Sequence, residues 1–241
     1  MAVQMAGGLG EQINYTSISP VLGLSAFSIL LTVNQTESAS NSYRVIEIVN
    51  PAGLNTNERY LIQLNATNDA RNFGYFRAST VNTGGEWRSS SDTIPLNTNT
   101  FIGVTHDLSS INNDPIFYVN GASVTANEIN APSGEWRNTG ATNLYLGGRD
   151  GTVKAYAGSL FNILIYNRVL SAAEIADAYN SRRAIPNFRG LVFAPELRGA
   201  SGGVDDGDAL GATNYVIDRV NGVQGTPNNS PVLRADTVLN F

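Results

Sequence analysis

The sequence predicts an all-β chain, folded as a sandwich or barrel, with one short helix. Three observations carry that reading. Short β-patterned runs recur between clusters of Asn, Gly, Pro and Ser, the rhythm of strands and turns. Charged residues make up only 15% of the 241, and Asn, Ser, Thr and Gly carry most of the hydrophilic load, whereas long exposed helices usually show Glu/Lys-rich faces. Asn120-Gly121 lies between the β-rich runs Ile116–Val119 and Ala122–Thr125, and this dipeptide suits a two-residue hairpin turn in which both central positions need φ > 0. A single β domain of this length is ordinary.

Taken in order, the strand candidates are Phe27–Val33, Tyr43–Val49, Arg59–Leu64, Phe73–Ser79, Glu86–Ser90, Thr100–His106, Ile116–Val119, Ser123–Ala126, Asn143–Leu146 and Leu160–Tyr166. The helix is expected at Ser171–Asn180 and extends at most to residue 181. Ser171 and Glu174 have the spacing of a capping box, and Leu170 and Ile175 that of a hydrophobic staple. Arg182 and Arg183 follow, where a helix C-terminus favours positive charge, and Pro186 stops continuation.

Composition excludes several function classes. A net charge of -5 and a single lysine, Lys154, leave no basic face for nucleic acid. The absence of cysteine rules out disulfides and thiolate metal sites. No apolar run approaches the roughly 20 residues that would span a bilayer, so no membrane partner is expected. Residues 1–10 lack the charged and apolar regions of a signal peptide, and none is expected there.

Two segments carry a family resemblance. Asn143-Leu-Tyr-Leu-Gly-Gly-Arg149 is followed by Tyr156–Ala176, which contains Tyr-Asn-Arg-Val-Leu-Ser-Ala-Ala-Glu-Ile. Upstream stand the Phe117-Tyr-Val-Asn-Gly121 hairpin and the strand Phe101-Ile-Gly-Val-Thr-His106. Together, over roughly residues 12–180, they resemble the laminin-G-like jelly rolls of the concanavalin A-like lectin/glucanase superfamily. The resemblance implies a jelly-roll sandwich of two antiparallel sheets. It also singles out the C-terminus. Gly190-Leu-Val-Phe-Ala-Pro195, Val216–Thr226 and Val238–Phe241 run in the order of the strands with which members of this family usually begin. The chain therefore reads as a circular permutation, with a body at 1–186 and a segment at 187–241 that supplies the missing strands. That segment either closes its own sandwich or is exchanged with a neighbouring subunit; a truncated second repeat is the third alternative.

The same resemblance gives a test for catalysis. Glycosidases of the superfamily carry Glu-x-Asp-x-x-Glu on one strand, setting two carboxylates about 5 Å apart. No such run exists here, and the one histidine, His106, reads as structural. No enzyme activity and no obligatory cofactor are expected. For metal, Asp205, Asp206 and Asp208 on a Gly-flanked loop offer hard oxygen ligands suited to calcium, or form an ordinary solvated turn.

Both tryptophans occur in Gly-Glu-Trp-Arg, at residues 85–88 and 134–137. Trp87 with Arg88, and Trp136 with Arg137, would give a sugar a ring to stack on and a polar group to bind its hydroxyls. The competing reading packs each ring on a sheet and turns Glu and Arg to the opposite face by strand alternation. Placed on the family pattern, the two copies fall in non-equivalent elements, which argues against an internal repeat.

Three functions compete. The first is a non-catalytic virion component, a bacteriophage capsid decoration or head/tail surface protein, assembled in the host cytoplasm, that contacts other virion proteins and itself as a homo-oligomer. The second is a lectin-type module that binds surface glycans or serves in adhesion outside the cell. The third is a divergent glycoside hydrolase.

Overall fold

The computed structural model describes residues 2–6, 11–16, 25–37, 43–49, 59–64, 71–78, 83–136, 143–148, 156–181, 188–199, 214–228 and 231–234. In chain order the strands are β1 (Ala2–Ala6), β2 (Gln12–Thr16), β3 (Ala26–Gln35), β4 (Tyr43–Val49), β5 (Arg59–Leu64) and β6 (Phe73–Ala78). They continue with β7 (Gly85–Arg88), β8 (Thr100–Asp107), β9 (Ile116–Val119), β10 (Ala122–Val124), β11 (Asn127–Asn130) and β12 (Asn143–Leu146). After β13 (Ala157–Tyr166) comes the helix α1 (Ala172–Ser181), then β14 (Leu191–Phe193), β15 (Pro195–Gly199), β16 (Asn214–Asp218), β17 (Gln224–Asn228) and β18 (Val232–Arg234).

The strands form two antiparallel sheets. One runs β10-β9-β8-β3-β13-β1-β18, with β14 also paired to β13; the other runs β11-β7-β6-β5-β4-β12-β2-β17-β16-β15. The predicted two-sheet antiparallel sandwich is what the chain adopts. Strand alternation explains the core. On β3, Ile29, Leu31 and Val33 point between the sheets, where they meet Ile46, Ile48, Ile62 and Leu64 in one buried cluster. Leu30, between them, faces the other way and packs with Phe101, Tyr118, Leu164 and Tyr166 beneath the helix residues Ile175 and Ala178. The long apolar runs of β3 and β13 thus serve two cores, one on each face of the same sheet.

Local sequence signals hold where they were strongest. Asn120 and Gly121 have φ of 49° and 81°, the double positive φ of the tight turn joining β9 to β10. The turn is fixed further by the Asn120 side chain, whose Oδ1 accepts from the Phe101 N–H at 3.1 Å. At the helix start, the Ser171 N–H donates to Glu174 Oε2 at 2.9 Å and the Glu174 N–H to Ser171 Oγ at 3.3 Å, a reciprocal capping box. Arg168 adds a two-pronged ion pair to the same carboxylate, at 2.9 and 2.5 Å, and with the Ser171 N–H holds the Glu174 pKa down at about 2. Asn162, at φ 46°, sits where the β13–β3 register slips between Phe161 and Leu164, marking a bulge.

The C-terminal strands join both sheets within the one chain. β14 pairs with β13, β17 with β2 and β18 with β1. Asp218 is fully buried at the centre of this addition. Its carboxylate accepts the backbone N–H groups of Ala194 (2.9 Å), Val220 (3.1 Å) and Asn221 (3.1 Å), so one side chain ties the β16–β17 turn to the end of β14. Gly225 is required there, because a Cβ would come within 2.5 Å of Ile13 and 2.7 Å of the Tyr15 ring. Val238–Phe241, read from the sequence as a further strand, lies outside the described residues.

Candidate functional site

The two Gly-Glu-Trp-Arg copies converge in space although they differ in structure. Gly85–Arg88 is strand β7 with alternating burial, Trp87 facing inward and Glu86 and Arg88 outward. Gly85 has no Cβ because the indole of Trp87 lies back along its own strand: a Cβ there would stand 2.1 Å from the ring. On the outer face Arg88 Nε and Nη2 donate to Glu86 Oε1 at 2.9 and 2.6 Å, and Asn130 Nδ2 donates to Glu86 Oε2 at 3.0 Å. In the second copy Gly134 has φ 90°, a left-handed conformation that breaks any strand, and Trp136 is half-buried. The Thr83–Ser133 bridge brings the two segments side by side.

Both indoles meet the ring of His106, Trp87 at 5.4 Å and Trp136 at 5.7 Å between centroids. Tyr75 stacks on Trp87 at 5.7 Å, and the buried guanidinium of Arg77 lies 4.1 Å from the Tyr60 ring centre and 4.9 Å from that of Trp136. Trp87 is 0% exposed, which corrects its assignment as a contact residue: no sugar can stack on a ring that the core covers on both faces. Arg88 is held in the Glu86 ion pair rather than presented beside Trp87. Arg137 and the run Asp205, Asp206 and Asp208 lie outside the described residues. Among the described residues no group of three or more His, Cys, Asp and Glu side chains is placed to hold a metal ion.

The buried cluster does its work through its ring nitrogens. Trp136 Nε1 donates to the Ser110 carbonyl at 3.0 Å, and Trp87 Nε1 to Asp114 Oδ1 at 2.9 Å. His106 Nε2 lies 2.7 Å from the Asn113 carbonyl. A carbonyl only accepts, so Nε2 carries the proton and Nδ1, 3.4 Å from the Tyr75 hydroxyl, is the acceptor. Burial holds the His106 pKa down at about 4; the Arg77 charge works in the same direction, against the Asn113 carbonyl and the carboxylates of Asp114 and Asp107. The imidazole is therefore neutral at pH 7, has both nitrogens engaged and is 1% exposed, which suits a structural role and not a general base.

All three contacts fall on one loop, residues 108–115, between β8 and β9. Above it opens a depression of about 320 Å³ lined by Thr105, Asp107, Asn112, Asn113, Asp114, Ile116 and Val169. The loop is further ordered by its own side chains. Asp107 Oδ1 accepts the Ser109 N–H at 2.9 Å, and Asn113 Nδ2 donates to the Asp107 carbonyl at 3.1 Å. The Ser109 N–H holds the exposed Asp107 carboxyl below its ordinary pKa, so it stays ionised. Ile116 and Val169, 48% and 39% exposed, give the depression an apolar wall. Carboxylates, amides and two aliphatic side chains on a braced loop are the chemistry that binds a polyol: acceptors and donors for hydroxyls, and a surface for C–H groups. None of these lining residues was singled out from the sequence as a contact residue.

Comparison with known proteins agrees with this architecture. Residues 9–176 match a laminin G family (Laminin_G_3), described as the concanavalin A-like lectin/glucanases superfamily. The carbohydrate-binding module (CBM40) of a Ruminococcus gnavus IT-sialidase, solved with α2,3-sialyllactose, superposes with a TM-score of 0.57 at 16% identity, over 74% of this chain and 96% of that one. A putative carbohydrate-binding protein of Bacteroides ovatus gives 0.63 at 13% identity, over 99% and 61%. A native heptameric SAP-like pentraxin from Limulus polyphemus gives 0.57 at 10% identity, over 77% and 84%. No curated protein sequence matches the chain significantly.

Proposed function

The chain belongs to the concanavalin A-like lectin/glucanase superfamily, and from that premise we propose that it is a non-catalytic carbohydrate-binding module of lectin type. One observation carries the reading. A depression of sugar-sized volume opens over a loop that three ring N–H groups hold in place, so its polar lining is fixed before any ligand arrives. Support from outside the chain comes from the fold it shares with a sialidase carbohydrate-binding module solved with sialyllactose and with a putative carbohydrate-binding protein. Binding without cleavage is favoured because the sequence has no Glu-x-Asp-x-x-Glu strand and its one histidine is engaged on both nitrogens. The test is a glycan array probed with the wild type and with Ile116→Asp. Specific binding that the variant loses supports the reading, and an array without a signal overturns it.

A virion surface role is the second reading, and one feature favours it. β17 and β18 cover the edges of β2 and β1, and the same strands would cover those edges in a neighbouring copy. Light scattering of the purified protein decides this: a symmetric oligomer supports exchange, and a monodisperse monomer removes it.

A further inference from the structure

If the depression above the 108–115 loop is the glycan site, its charge restricts which glycan it takes. Among the described residues its lining holds two carboxylates, Asp107 and Asp114, and no lysine or arginine. Among the described residues, the groups nearby that could carry positive charge are already engaged. His106, beneath the loop, is buried and donates Nε2–H to the Asn113 carbonyl. Arg168 precedes Val169 in the chain, but its guanidinium is occupied by Glu174 at 2.9 and 2.5 Å and its Nε by the Arg189 carbonyl at 2.9 Å. Arg77 is buried against Tyr60 and Trp136. The depression is therefore a negative, acceptor-rich surface with an aliphatic wall. Sugar hydroxyls donate well to carboxylates, and sugar C–H faces pack on Ile116 and Val169. A carboxylated sugar would bring a third negative charge against two fixed ones, with no cation among the described lining residues to receive it.

We propose that this site accepts neutral or amino-bearing glycans and rejects sialylated ones, the reverse of the sialyllactose-bound module that shares its fold. The proposal rests on the reading of the depression as a glycan site, and the experiment separates the two.

Matched probes that differ only in the sialic acid, lactose against 3′-sialyllactose and 6′-sialyllactose, with chitobiose and chitosan dimers as acetylated and amino sugars, are titrated at low salt with and without EDTA. The expected result is calcium-independent binding of at least one neutral or amino sugar. Any sialylated counterpart of a bound sugar should bind about tenfold weaker or worse, the size of two Coulombic contacts at 4–6 Å in water. Asp107→Asn and Asp114→Asn keep the shape and one acceptor oxygen each but remove the charge. Each should lose about fivefold toward the bound sugar, the worth of a charge-assisted over a neutral hydrogen bond, and should narrow its preference over the sialoside. Unchanged thermal midpoints for the two variants confirm that the fold is intact. Sialoside binding equal to or tighter than that of its neutral parent overturns the charge inference and leaves the glycan reading standing. Binding abolished by EDTA also overturns it, since a bound cation would reverse the local charge. Failure to bind any probe, neutral, amino or sialylated, overturns both.

Discussion

The two Gly-Glu-Trp-Arg segments make an instructive comparison. Four identical residues form a core strand at 85–88 and begin with a left-handed bend at 134. In the first copy glycine is there for its missing Cβ, which lets the indole lie along the strand; in the second it is there for its φ. Trp87 is wholly inside and Trp136 half-buried, yet both rings end on His106 and both N–H groups on the same loop. A tetrapeptide is too short to set its own conformation, so neighbours decide it. Strand β6 and the inter-sheet core decide the first, and the Thr83–Ser133 bridge with the rim of the sandwich the second.

The largest test of that difference is truncation of each ring. Trp87→Ala removes a fully enclosed indole and should lower stability by about 3–5 kcal/mol, whereas Trp136→Ala should cost no more than about half of that. Urea midpoints measure both, and equal losses would mean that the second ring is as deeply packed as the first. Next comes pH, which probes the residue both rings share. The His106 pKa lies at about 4 when folded, against 6.5 when unfolded. The unfolded state binds the proton first, so stability is complete above pH 6.5 and falls by about 3 kcal/mol as pH drops to 4. Glu174, held near 2, begins to contribute only below its unfolded value of 4.5, so the slope between pH 6.5 and 4.5 belongs to the imidazole. As the chain has one histidine, a single imidazole resonance reports the midpoint directly, and a value near 6.5 would break the picture of a buried ring.

Glycine substitution sharpens the comparison further. Gly85→Ala forces the Trp87 ring off its strand and should cost about 2–3 kcal/mol, while Gly134→Ala should cost about 1 kcal/mol, the strain of a left-handed φ alone. Only the first should also alter the fluorescence of the buried tryptophan. Trp87→Phe keeps a ring but deletes the N–H to Asp114 and leaves a small void; about 1–2 kcal/mol of stability should go. If the loop is braced as described, hydrogen exchange at residues 108–115 should speed up with it.

What the sequence made legible were the features that depend on near neighbours. Asn120-Gly121, Ser171 with Glu174, and the β-rich apolar runs of β3, β4, β5 and β12 announce themselves within a few residues. β1, Ala-Val-Gln-Met-Ala, was not among the predicted strands, because it has little β propensity and is a strand only through its pairing with β13 and β18. β11 is exposed along its length and has no alternation to find. The candidate site was illegible for a related reason. Asp107, Asn113 and Asp114 look like ordinary loop residues, and Ile116 like the start of a strand, until Trp87, His106 and Trp136 are brought beneath them. The aromatic pair drew attention in the sequence; the residues it supports are the ones that reach solvent.

The pairing of β1 with β18 has a kinetic consequence. Ala2 sits opposite Arg234, and β2 waits likewise for β17. β1 and β2 are synthesised long before β18 and β17 and keep these edges unpaired until the later strands are made. Pairings this distant in sequence make folding slow. In that interval two open strand edges are offered to any identical nascent chain nearby, which makes early handling in the cell, more than the finished fold, the moment at which this protein is most exposed to misassembly.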